Sequence, residues 1–151
     1  MKVTRIVGFA LAGLLVAPVY AETQPQSAEK LVASMRKADM TYKELMAIMG
    51  ETISTMQKGV LTQNREMVEQ AGQFIFNHPA PNHAPWDIMP DADQAGFKSA
   101  LLAYDKVLDV NTQAIIDASN AREWIKASEA LSTLQNTCVA CHSQWQAKAL
   151  Y

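Results

Sequence analysis

The sequence predicts an all-α domain, an antiparallel four-helix bundle, on three observations. Apolar residues recur at three- and four-residue steps through four long stretches. No stretch sustains the apolar–polar alternation of a half-buried strand. A proline-rich segment separates the second stretch from the third and cannot continue a helix.

Ahead of the first stretch, Lys2 and Arg5 precede an apolar run from Ile6, with short side chains at Val19 and Ala21. This is the pattern of a secretory signal peptide over residues 1–21, cleaved after Ala21. The run contains Pro18 and falls short of the roughly 20 residues a bilayer span needs, so no membrane span is expected in the mature chain. Residues 22–27, Glu-Thr-Gln-Pro-Gln-Ser, form a polar, disordered leader. Residues 28–151 then make one domain of ordinary size.

The first helix is expected from Ala28 to Lys58, with Leu31, Met35, Ala38, Tyr42, Leu45, Met46, Met49, Ile53 and Met56 in its apolar stripe and Gly59 as its stop. The second runs from Gln63 to Phe76 on Met67, Ala71, Phe74 and Ile75, leaving Glu66 and Glu69 on a solvated face. The connection from Asn77 to Asp91 holds Pro79, Pro81, Pro85, Pro90 and Trp86. A third helix spans Asp93 to Ala118, and Asn120 is placed to cap a fourth from Ala121 to Ala149. On the fourth, Trp124, Leu131, Leu134, Cys138, Cys141, His142 and Trp145 are expected to face inward.

Removing the signal peptide leaves 11 of the 13 basic side chains and all 15 acidic ones, a net charge of −4. With no basic block, the chain would repel a phosphate backbone, and nucleic acid is excluded as a partner. Nothing in the sequence marks an enzyme: there is no nucleophile beside a base, no matched carboxylate pair and no phosphate loop.

Both cysteines lie in one motif, Cys138-Val139-Ala140-Cys141-His142. On a helix these thiols and the imidazole share a face at i, i+3 and i+4. Two thiols at that spacing can add to the two vinyl groups of one porphyrin, with the adjacent imidazole beneath the iron. The motif therefore predicts one covalent haem c on the C-terminal helix, held by Cys138 and Cys141, with His142 as the proximal iron ligand. Three other uses of the thiols compete with this one. A thioredoxin-like dithiol belongs at a helix start in an α/β fold. A Cys2His2 zinc site could recruit His78 and His83 but leaves the placement of His142 unexplained. A structural disulfide is the third.

An exported four-helix chain that closes on Cys138-Val139-Ala140-Cys141-His142-Ser143-Gln144-Trp145, with Arg36 and Lys58-Gly59 in its first helix, resembles the cytochrome c prime family, the class II c-type cytochromes, over the whole mature chain. Trp145 stands where that family usually has tyrosine or phenylalanine, and Gln146 where it usually has arginine. The resemblance implies a periplasmic monohaem electron carrier that works with redox partner proteins. It equally implies the five-coordinate subtype, which binds the diatomic gases NO or CO at an open sixth position, and it implies a homodimer through the first two helices.

The subtypes differ in the residue that the first helix presents to the iron. On a helical wheel of about 100° per residue with Tyr42 at zero, Met46 falls near about 40° and Met49 near about 340°, inside the apolar stripe, whereas Met40 falls near about 160°. Alignment on Arg36 favours Met40 instead. Met46 is the preferred distal ligand, because a ligand must point inward, with Met40 and Met49 as alternatives. Methionine is otherwise a flexible core filler, and His78 and His83 are most simply surface histidines.

Overall fold

A computed structural model describes residues 27–150, so the expected signal peptide and all of the leader except Ser27 lie outside the described residues. The chain is mostly helical, in the order α1 (Ala28–Ser34), β1 (Lys37–Ala38), α2 (Tyr42–Leu61), α3 (Arg65–Asn77), β2 (Ala80–Pro81), a 3-10 turn (Pro85–Ile88), α4 (Asp91–Asn120), α5 (Trp124–Trp145) and a closing 3-10 turn (Gln146–Lys148). The all-α class is therefore correct at the level of secondary structure. Among the described residues no helix is long and apolar enough to cross a membrane.

The expected first helix is broken in two. Ser27 caps α1 by accepting from the Lys30 N–H at 3.2 Å, and α1 ends where Met35 turns extended, with ψ of 146°. The chain restarts at a capping box. The Thr41 hydroxyl accepts from the Glu44 N–H at 3.1 Å, and the Glu44 carboxylate accepts from the Thr41 N–H at 2.7 Å. Such a box satisfies backbone donors that a helix start leaves open, which favours beginning α2 here. Met40 consequently lies in the break and on no helix.

The break is used for pairing. Lys37 and Ala38 run parallel to Ala80 and Pro81, and the Ala80 N–H donates to the Arg36 carbonyl at 2.9 Å. This two-residue pairing, unforeseen in the sequence, ties the start of the domain to the proline-rich connection.

Gly59 does not stop α2, which continues to Leu61 and is followed by Gln63 in the left-handed region at φ of 54°. Its role is close approach: a Cβ at Gly59 would stand 2.9 Å from Val68 Cγ2 and 3.1 Å from the Val68 backbone nitrogen. Only glycine lets α2 and α3 meet this closely. Asn120 likewise is not the cap of the last helix. It ends α4, Arg122 turns left-handed at φ of 60°, and Glu123 precedes α5.

α2 packs on α3 and α5, and α4 packs on α3 and α5. Between them lies a core that includes Met56, Val68, Ile115, Ala127 and Leu134, all buried. A second apolar cluster, centred on Met89, Phe97 and Trp145, fastens the end of α5 to the start of α4. Burying these side chains at about 25 cal/mol per Å² is the main term holding the helices together.

Candidate functional site

The second cluster positions the Cys-x-x-Cys-His segment. Trp145, 6% exposed, meets Phe97 edge-on, with ring centroids 5.4 Å apart and planes at 70°. Phe97 in turn meets Tyr42 of α2 at 6.2 Å and 84°. Beyond the helix, the Leu150 N–H donates to the Ile88 carbonyl at 2.7 Å, and Lys148 Nζ lies 2.6 Å from Asp93 Oδ1. The last turns of α5 are thus held against α4 and the Pro85–Ile88 turn, opposite the first turns of α2.

Between α2 and the end of α5 lie two cavities. One, of about 440 Å³, is bounded by Ile88, Met89, Phe97 and Trp145, with Lys43 and Gln146 among its polar members. The other, of about 460 Å³, is bounded by Met49, Ile53, Leu108, Cys138 and Val139. Tyr42, Met46, Cys141 and His142 line both. Sites for small molecules and cofactors are concave, mainly apolar and of this size.

The structure therefore brings Cys138, Cys141, His142 and Met46 to one groove, with Met49 on the wall of the second cavity alone. Met40 lines neither cavity; it packs against the main core. His142, expected to face inward, is exposed on its helix, and both cysteines are half-buried.

Cys138 and Cys141 are free thiols. Burial raises the pKa of both, and for Cys141 the neighbouring Cys138 raises it further. The thiols are therefore held neutral at pH 7. A thioredoxin-like dithiol needs the opposite, a thiolate stabilised at a helix start.

His78 and His83 sit away from the thiols. The His78 ring lies 3.0 Å from the Pro79 carbonyl oxygen and the His83 ring 3.2 Å from that of Ala84, through Nδ1 in each case. Neither lines the two cavities. Among the described residues no group of three or more His, Cys, Asp or Glu side chains is arranged to hold a metal ion, so the Cys2His2 set is not assembled.

His78 has another neighbour. It lines a separate notch of about 360 Å³ with Arg36, Asp105 and Asp109. Burial, the larger cause, and the Asp109 charge together push the Asp105 carboxyl up to about 6, with His78 acting in the opposite sense.

Sequence reasoning missed Lys43, Met89, Phe97 and Gln146 as wall residues. Only the position of Tyr42, one turn before Met46 on the same stripe, was a usable signal. No protein family, curated protein or solved structure matches this chain.

Proposed function

We propose that this protein is a periplasmic c-type cytochrome of the class II kind, an antiparallel four-helix bundle that transfers electrons through one covalent haem c. The observation that carries the reading is the groove. The Cys138, Cys141 and His142 side chains share the wall of an apolar site with Met46 on the facing helix.

The residues fit the group by their chemistry. Cys138 and Cys141 would hold the group through thioethers, each S–H added across one vinyl double bond with sulfur on one carbon, hydrogen on the other and nothing released. His142 offers an imidazole nitrogen one residue from Cys141. Phe97, Met89 and Trp145 line the first cavity and would exclude water from the group held there. Once attached, haem supplies an iron that exchanges one electron between its ferric and ferrous states. Met46 offers a thioether sulfur from the other helix, and methionine paired with histidine raises the reduction potential. Partners are then redox proteins that meet an exposed porphyrin edge.

The competing function, binding of NO or CO at five-coordinate iron, requires Met46 to act as wall alone. Absorption spectra of the ferric and ferrous protein with and without CO separate the two. Sharp low-spin bands that resist CO support the carrier. A high-spin ferrous Soret band and ready CO binding overturn it in favour of the gas-binding module.

A further inference from the structure

We propose that Lys43 is the cationic partner of the haem propionates, with the Gln146 amide as a second donor, making Lys43 a positioning residue that sets the reduction potential. The inference rests on the haem reading above and goes beyond it by assigning the orientation of the group.

Thioether-forming vinyls and propionates occupy opposite sides of the porphyrin. Cys138 lines only the second cavity, while Cys141 lines both. The edge away from Cys138 would therefore face the first cavity, which would have to accommodate two carboxylates. Carboxylates left among Phe97, Met89 and Ile88 without a counter-charge would be costly.

Among the described residues that bound either cavity, Lys43 is the one lysine, arginine, aspartate or glutamate, and it borders the first cavity. It stands in the first turn of the 20-residue α2, where the helix dipole also favours an anion. The adjacent acid, Glu44, is folded back on its capping box, accepting from the Thr41 hydroxyl at 2.8 Å as well as from the Thr41 N–H. Lys148 lines neither cavity. Gln146, on the opposite wall from Lys43, offers two amide N–H donors that the arginine expected there would have replaced with a charge.

A fixed positive charge beside the porphyrin edge disfavours the ferric state more than the ferrous one. The test compares holoprotein variants Lys43→Gln, Lys43→Arg and Lys58→Gln, the last about 22 Å further along the same helix. Midpoint potentials are read by spectroelectrochemistry at low and high salt, with propionate modes followed by resonance Raman. Lys43→Gln is expected to lower the potential and shift the propionate modes, Lys43→Arg to restore both, and Lys58→Gln to leave both near wild type. Equal potentials for the two glutamine variants, or unchanged propionate modes in Lys43→Gln, overturn the assignment. The intact mass of each preparation reports separately whether haem is attached; its absence would instead defeat the proposed function.

Discussion

Met46 on α2 and His142 on α5 line the same two cavities, so the preferred distal side chain and the imidazole of the Cys-x-x-Cys-His motif meet one groove from opposite helices. Of the three methionines weighed as ligands, only Met46 has this relationship. Met46→Ala is expected to convert a low-spin spectrum to high-spin and open the iron to CO. Met40→Ala should leave the spectrum unchanged, because Met40 lies in the break before α2. Absorption and CO titration of the three variants, with Met49→Ala as the third, check the assignment; loss of the low-spin bands in Met49→Ala but not in Met46→Ala would reassign the ligand.

Phe97 joins Tyr42 of α2 to Trp145 of α5 through two edge-on contacts and is 3% exposed. Phe97→Ala should cost about 3–5 kcal/mol, the range for removing a buried aromatic ring. Urea unfolding measures it. A loss below about 1 kcal/mol would show that the cluster is not what anchors the end of α5.

Gly59 faces Val68 across α2 and α3 with no room for a Cβ, and two of the three nearest atoms, the Val68 nitrogen and the Asn64 oxygen, are backbone. Gly59→Ala should therefore destabilise by about 1–3 kcal/mol in spite of alanine's higher helix propensity. Thermal unfolding gives the sign directly, and stabilisation would contradict the close approach.

Asp105 binds its proton more tightly in the folded chain than in the unfolded one, at about 6 against an ordinary 3.8. Below the lower value both states are protonated and nothing is lost. As pH rises from about 4 to 6 the unfolded state ionises first, so folding stability falls across that window. Asp105→Asn should leave stability at pH 3.5 unchanged and raise it at pH 7 by about 1–2 kcal/mol, less than the full shift because the carboxyl keeps part of its hydration. Denaturant unfolding at both pH values is the check. A variant as stable as wild type at pH 7 would mean that Asp105 titrates normally.

The helical stripes and the motif were legible because each depends on local spacing: Leu131, Leu134, Cys138 and Cys141 recur as a helix face requires. The break between α1 and α2 was hidden because Leu31, Met35, Ala38 and Tyr42 keep that spacing straight through it, with no proline or glycine to interrupt them. Its one local sign was Thr41 three residues before Glu44, the capping-box pattern. Asn120 misled for the opposite reason. It is a good cap by type, but the turn was made by Arg122 in a left-handed conformation that sequence favours only weakly for arginine. The roles of Lys43, Phe97 and Gln146 depend on α2, α4 and α5 converging, which no local pattern records. The same holds for Asp105, whose neighbour His78 follows a different helix.

The proposed covalent haem at Cys138 and Cys141 is open to denaturing intact-mass spectrometry after export with the c-type maturation machinery. The expected result is a red protein whose mass exceeds that of the polypeptide by one haem, with no thiol left to alkylate, and whose haem is lost when both cysteines are replaced by alanine. A colourless protein at polypeptide mass with two alkylatable thiols would contradict it.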